Sequence, residues 1–325
     1  MTVSLCVVAY NEEAFLPRLL ADLAAQTYPH ELTEVVLVDS SSTDGTRRLM
    51  LDFAGQDNGY LAVKVLDNPK RIQAAAWNVA LSAAVCDVII RIDAHTHVPS
   101  DFVAKNMELQ KKGELVTGGI RPCLIQDPTP WKTALLEVEN SLFGSSIGAN
   151  RRGTVSGYVK TMFHAAYRRE VFEKVGQFNE KLLRTEDNEM HYRIRSAGYR
   201  LFCTSDIVSY QYARSSFRRM IKQKYGNGSW IGTTLKVCPG CVSLYHLVPF
   251  AFLLAIVGTS VLAALGVRLP AALMWSAYLL FSLLGMLSSV VNKKANGWTL
   301  LMPFMFLTLH VAYGVGTLRG LFRKI

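Results

Sequence analysis

Three apolar stretches in the last third of the chain, 244–267, 271–291 and 298–318, constrain the fold most. Each reaches the ~20 residues that a bilayer crossing requires. A single such run would also suit a buried core helix; three in succession with short linkers read as membrane spans. Before about residue 240 the sequence is different material, with short apolar runs alternating with charged stretches as in a soluble α/β domain. The opening MTVSLCVVAYNEE lacks a basic leader and runs straight into a polar turn, so it is not read as a signal peptide.

Charge follows the same division. The net charge is +10, and much of the excess precedes the first apolar stretch, at Arg214, Arg218, Arg219, Lys222, Lys224 and Lys236. That placement suits anionic headgroups and the bias of cations toward the cytoplasm. Neither zinc-finger spacing nor a ribonucleoprotein motif accompanies it, which argues against nucleic acid as a partner. Phe217, Met220, Ile221 and Tyr225 form an apolar stripe among these cations, the pattern of an interfacial helix. Tyr225 and Trp230 suit either stacking on a sugar or anchoring at the bilayer surface. The expected division is a cytoplasmic domain over 1–212, a basic amphipathic segment over 213–240 and a membrane region over 241–325. Lys293 and Lys294 place the second loop in the cytoplasm. A third span then sends Arg319, Arg323 and Lys324 outward, against the bias. Either the last segment is re-entrant, broken at Pro303, or the tail is tolerated.

Six cysteines are scattered, and only Cys238 and Cys241 lie close together. A lone CxxC supplies half a zinc site and lacks the strand-then-helix setting of a redox motif, so the cysteines are read as packing residues.

In the soluble part, Val3 to Ala9, Glu34 to Asp39, Leu61 to Leu66 and Asp87 to Asp93 read as strands. Helices follow, with Leu16, Leu19, Leu20 and Leu23 on one face, then from Thr46, and from Gln73 to Val85 with Asn78 facing one side. Asn11 suits the N-cap of the first helix. The alternation implies a mostly parallel sheet with helices on both faces, whose ligands bind beyond the carboxyl ends of the strands. Tyr10, Asp39 and Asp93 sit at such ends. Residues 114–185 are less regular, with glycines at 118, 119, 144, 148, 153 and 157. A short helix is expected over Arg168 to Gly176. Thr185 can cap a helix running EDNEMHYRIRSA to Gly198, with Met190 and Ile194 inward.

Two clusters carry chemistry. Asp93-Ala94-His95 offers an oxygen and an imidazole at a strand end, a pair suited to Mg²⁺ or Mn²⁺, with imidazole favouring Mn²⁺. Asp also ends strands for capping reasons. Glu186-Asp187 at a helix start offers an ionised carboxylate as a general base, although acidic first turns also compensate the helix dipole. His97 reads as a loop histidine or a partner of the Asp93 site, and His191 as a packing residue.

Taken in order, VVAYNEE, VLVDSSSTDGT, RIDAH and TEDNE resemble glycosyltransferase family 2 over about residues 2–230. The resemblance implies an inverting enzyme with the Rossmann-like GT-A fold. It implies that Tyr10, Glu12 and Asp39, with Ala9 beside them, hold the nucleobase and ribose of a nucleotide sugar. Asp93 becomes the metal carboxylate and Asp187 the catalytic base, with Glu186 beside it. Arg71 and Asn78, in NPKRIQAAAWN, fall where the family often contacts the donor.

RIDAH, GYVKTMFHAAYRREVFEKVGQFNEKL and YGNGSW are similar to the succinoglycan-type (ExoA-like) exopolysaccharide glucosyltransferases. That likeness implies UDP-glucose as donor, a polyprenyl-linked glycan as acceptor, the inner membrane as location and other exopolysaccharide assembly proteins as partners. Three positions depart from the family. Ser40 stands where many members carry Asp, and His95 replaces the last Asp of DxD. The QxxRW motif of processive synthases has only a loose echo in Gln223 and Trp230, which implies single additions. Transfer to a polyprenyl phosphate itself, and a degenerate transferase acting as an assembly partner, are the alternatives.

Overall fold

The computed structural model describes residues 1–144, 156–214 and 216–324; Gly148 and Gly153 of the irregular segment lie outside them. The chain divides into two compact units, Met1–Pro122 with Arg152–Tyr212, and Cys123–Arg151 with Ala213–Ile325.

The first unit opens with β1 (Val3–Ala9), α1 (Leu16–Ala24), β2 (Thr33–Asp39), α2 (Thr46–Ala54), β3 (Ala62–Asp67), α3 (Gln73–Ala83) and β4 (Val88–Asp93). The two-residue β5 (Thr96–His97), α4 (Phe102–Lys111) and β6 (Val116–Ile120) follow. In the second unit lie β7 (Cys123–Leu124) and α5 (Pro130–Asn140). The chain returns to the first unit with β8 (Ser156–Val159), β9 (Phe163–Arg168), α6 (Arg169–Val175), α7 (Glu186–Ser196), β10 (Leu201–Val208) and β11 (Tyr210–Tyr212). Eight strands form one sheet in the order β3-β2-β1-β4-β9-β6-β10-β8. Its β3-β2-β1-β4 half is parallel, whereas β9 runs antiparallel between β4 and β6.

Strand alternation distributes the core over both faces. Val3, Leu5, Val7 and Ala9 of β1 join the cluster under α1, α2 and α4, whereas Cys6 and Val8 join the one under α3, α6 and α7. Met190 and Ile194 of α7 are fully buried there, as their spacing implies. Two capping expectations differ. Asn11 does not cap α1, which starts after Phe15 with a proline in its first turn. Thr185 stands at the N-cap of α7 with φ 67° and makes no capping bond; its hydroxyl turns back to the Arg184 carbonyl.

The second unit continues with α8 (Phe217–Val237), α9 (Val248–Ala264), α10 (Leu269–Val291) and α11 (Met302–Phe322). Among the described residues three helical stretches are long and apolar enough to cross a membrane: Leu244–Ala264, Leu269–Val291 and Gly297–Phe322, of 21, 23 and 26 residues. Leu135 and Val138 of α5, Met220 of α8, and Met302, Met305, Phe306 and Leu309 of α11 form its core, with Phe217 and Ile221 packed against it. Much of the α8 apolar stripe is thus spent inside the unit. Helix α5 lies in the segment read as irregular, although Thr129 before Pro130 is a start signal: its Oγ1 accepts from the Lys132 N–H at 3.2 Å. Cys238 and Cys241 lie in a short turn, where the Cys241 thiol donates to the Cys238 carbonyl at 3.0 Å.

Gly119 on β6 sits where a Cβ would fall 1.7 Å from the Ile207 carbonyl oxygen of β10. Gly119→Ala is therefore expected to destabilise the first unit by about 1–3 kcal/mol. A lowered thermal midpoint of the detergent-solubilised protein would register it.

Candidate active site

Register brings the strand ends to one level. Ala9 pairs with Asp39 and Asp39 with Asp67, while Val8 pairs with Asp93 on the other side of β1. The carboxyl ends of β1 to β4 thus open on a common edge. The loops after β1 and β2 are laced together there. The Thr43 N–H donates to Asn11 Oδ1 at 2.8 Å, the Asn11 N–H to Ser42 Oγ at 3.0 Å, and the Glu12 N–H to Thr46 Oγ1 at 2.8 Å. Asn11 and Ser41 adopt left-handed backbone, φ 54° and 60°, to make the turns. Bridging the loops is what Asn11 does in place of capping.

In this cradle Tyr10 is half exposed, and the buried Asp39 carboxylate accepts from the Ser42 N–H at 3.3 and 3.2 Å. The Ala9 carbonyl accepts from the Ser40 N–H at 2.9 Å, and Ser40 Oγ accepts from Asn68 Nδ2 at 3.0 Å. Ser40 therefore ties the β2 end to the loop after β3.

Asp93 is the electrostatic centre. Its Oδ2 lies 3.2 Å from His164 Nε2 and 3.7 Å from Arg121; its Oδ1 is 3.8 Å from Arg91 and, though buried, has no hydrogen-bond partner. Burial alone would raise its pKa. The His164 hydrogen bond and the charges of His164, Arg91 and His95 win, holding the carboxyl well below the usual range. An ionised carboxylate with one unsatisfied buried oxygen fits a cation. His95 Nδ1 is engaged by Glu12 Oε1 at 3.1 Å, which orients the imidazole of the second candidate ligand. Glu12 is thereby drawn to the histidine. Among the described residues no three His, Cys, Asp or Glu side chains form a closed metal cage. A cation held by Asp93 and His95 would need further ligands beyond these two side chains.

Arg91 links this centre to α7. Its guanidinium lies 4.5 Å from the Trp77 ring centroid and 5.6 Å from that of Phe178. From there its Nη2 bonds Glu186 Oε1 at 2.9 Å. Burial raises the Glu186 pKa to about 7 against the pull of Arg91, with Asp187 adding to the rise. Asp187 is half-buried, and its Oδ1 accepts from the Asn188 N–H at 2.8 Å. Of the two acidic candidates, Glu186 is turned to Arg91.

His191 is buried one turn further on, with Nδ1 3.0 Å from Thr161 Oγ1 and Nε2 2.7 Å from the Tyr167 hydroxyl. Burial pushes its pKa down to about 4, despite the nearby Asp187 charge.

The other candidates lie apart from this cluster. Asn78 is consumed by the loop after α6: Nδ2 donates to the Phe178 carbonyl at 3.0 Å and Glu180 Oε1 at 3.1 Å, and Oδ1 accepts from the Phe178 N–H at 2.8 Å. Arg71 is exposed with φ 55°. His97 bonds Asp22 of α1 at 2.7 Å and stacks on Tyr210. Sequence reasoning missed Arg91, Arg121 and His164. A charge inside the apolar strand VIIRID was the one signal available for Arg91. His164 reaches Asp93 only because β9 inserts beside β4.

The chain is similar to known proteins in sequence and in fold. The family described as Glycosyl transferase family 2 matches residues 4–176. Succinoglycan biosynthesis protein ExoA of Rhizobium meliloti is 31% identical over 98% of this chain and 95% of its own length. A dolichyl N-acetyl-alpha-D-glucosaminyl phosphate 3-beta-D-2,3-diacetamido-2,3-dideoxy-beta-D-glucuronosyltransferase of Methanococcus voltae is 27% identical over 77% of this chain and 78% of its own. The mannosyltransferase PcManGT from Pyrobaculum calidifontis, solved with GDP-Man and Mn²⁺, has a TM-score of 0.65 at 22% identity, covering 97% of this chain and 86% of that one. At that identity it speaks for the fold alone.

Two outcomes follow. Arg91→Lys keeps the charge but loses the fork and is expected to lower activity roughly 10–100-fold; a thermal midpoint near the parent's would separate this from unfolding. Second, an unfolded imidazole takes up a proton below pH 6.5 that buried His191 refuses until about pH 4. Stability should fall by up to about 3 kcal/mol as pH drops through that window. His191→Gln should flatten the slope in pH-dependent thermal unfolding.

Proposed function

The chain belongs to glycosyl transferase family 2 and is a glycosyltransferase; from that premise we propose that it moves a single sugar from a UDP-sugar to a polyprenyl-linked glycan, with inversion, at the cytoplasmic face of the inner membrane. Glucose is the proposed sugar and exopolysaccharide the proposed product, on the full-length likeness to a succinoglycan biosynthesis protein. The Methanococcus relative, whose name carries a glycosylated dolichyl phosphate, favours an acceptor that already bears sugar over a bare polyprenyl phosphate. The apolar helices of the second unit supply the proposed anchor.

The observation that carries the mechanism is the Asp93–Arg91–Glu186 bridge, which couples a cation-ready carboxylate to the first turn of α7. Asp187, in that turn, takes the proton from the acceptor hydroxyl. The hydroxyl oxygen bonds to the anomeric carbon as the bond to the nucleoside diphosphate breaks, inverting the configuration. The α7 dipole favours the ionised base before it accepts the proton. Asp93 and His95 are the residues that would hold Mn²⁺ or Mg²⁺, which supplies charge neutralisation on the leaving diphosphate. Tyr10 and Asp39, in the laced loops, are the proposed contacts to base and ribose, with Ala9 and Glu12 alongside. Arg71, exposed at the entrance to α3, is a proposed contact to the donor; Asn78 acts by holding the adjoining loop.

Asp187→Asn is expected to cut transfer of radiolabelled sugar from UDP-glucose to extracted lipid carrier by about 10²–10⁴-fold, with UDP binding by calorimetry retained. Unchanged transfer would remove Asp187 as the base. Binding of GDP in preference to UDP would overturn the donor assignment.

A further inference from the structure

Helices α8 and α11 run side by side in the same direction, backbone against backbone. A Cβ on Gly228 would fall 2.0 Å from the Tyr313 oxygen, and one on Gly232 2.3 Å from that of Thr317. Reciprocally, Gly316 would meet the Tyr225 oxygen at 2.1 Å and Gly320 that of Ser229 at 2.0 Å. Both helices carry glycines four apart, the spacing that allows such approach. Arg319 donates to the Tyr225 hydroxyl at 2.8 Å, Arg323 covers the Trp230 ring at 4.2 Å, and Lys236 reaches the Arg323 carbonyl. Carried back along both helices, this register sets the exposed Arg218, Arg219 and Lys222 beside Phe306 to His310.

That register decides what α11 can do. From the level of Lys222, beside His310, to Arg319 the helix rises only about 13 Å, against ~30 Å of hydrocarbon. A crossing α11 would drag three exposed cations of α8 into the lipid. The Lys224–Glu139 ion pair, at 3.1 Å, lies just beyond them. On α11 itself the face opposite Gly316 and Gly320 is apolar and exposed, at Phe304, Val315, Leu318 and Phe322, while Gly314 packs on Pro249 of α9. By contrast α9 fully buries none of its residues and exposes Leu254, Val257, Val261 and Leu262 along its outer side, as a lipid-facing helix does.

We infer that α11 lies along the membrane surface with α8. Its Phe304–Phe322 face enters the headgroup–acyl boundary of an anionic phospholipid leaflet, and the α9–α10 hairpin alone crosses. The cations at Arg218, Arg219, Lys222, Arg323 and Lys324 match that leaflet. Lys293, Lys294 and the tail then share the cytoplasmic side, and Arg268 at the hairpin tip is alone on the other. This rests on the membrane anchoring proposed above and deepens it.

The test uses the full chain in a bacterial inner membrane. Alkaline phosphatase, active only outside, and green fluorescent protein, fluorescent only inside, are fused after residue 267 and after residue 325. Phosphatase activity at 267 with fluorescence at 325 is expected. Phosphatase activity at 325 would overturn the inference while leaving the anchor; silence at 267 would overturn the hairpin and the anchor together. Spin labels at Phe304→Cys, Val315→Cys and Phe322→Cys, in a folded background without the native cysteines, should report one shallow depth in phosphatidylglycerol vesicles. Depths passing through the bilayer centre, or labels in water alone, would refute the surface placement.

Discussion

A buried guanidinium holds the candidate site together. Arg91 comes from the middle of an apolar strand, where an unpaired charge would be prohibitive. The Trp77 and Phe178 rings pack beside it, and Glu186 and Asp93 answer its charge. The end of β4 and the start of α7, 95 residues apart in sequence at the Arg91–Glu186 bond, are locked in one electrostatic unit. With Glu186 committed to that unit, Asp187 is the half-exposed acid of the first turn. The same network orients Asp93 through His164, whose Nδ1 is in turn held by Ser209 at 2.8 Å. Such outer contacts govern how firmly a ligand carboxylate is aimed.

In the second unit, glycine plays the corresponding part. Side chains at 228, 232, 316 or 320 would force α8 and α11 apart, and the aromatic and cationic contacts at their ends depend on the close approach. A helix that sequence alone makes apolar is thereby given two unlike faces, one filled by backbone and one presented outward. The cations of α8 become part of the surroundings of α11, which is how packing alters the meaning of hydropathy.

The strand-helix order, the placement of Asp39 and Asp93 at strand ends and the inward face of α7 were legible in residue pattern, because periodicity and strand-end chemistry are local properties. Helix α5 was hidden by the glycines around it, although Thr129-Pro130 marks its start. Asn11 misled because a capping residue is recognised by type, while its actual partner is set by whichever loop lies nearest; Thr185 takes the N-cap position of α7, but its hydroxyl bonds the Arg184 carbonyl instead of the helix. Asn78 looked like a donor contact, and tertiary packing gave its amide to the Phe178 loop. His164 carried no signal at all, since only an antiparallel strand inserted into a parallel sheet brings it to Asp93.

By itself the sequence determined the family, the parallel α/β core, the acidic strand ends and three helices apolar enough for a membrane. These follow from composition, period and short motifs, which read the chain a few residues at a time. Only the tertiary structure decided that Arg91 and His164 surround Asp93, that Glu186 is committed to Arg91, and that α11 shares its length with a cationic helix. Those outcomes depend on strand order and helix register, which bring together side chains far apart in the chain. Burial then sets their charge and their partners.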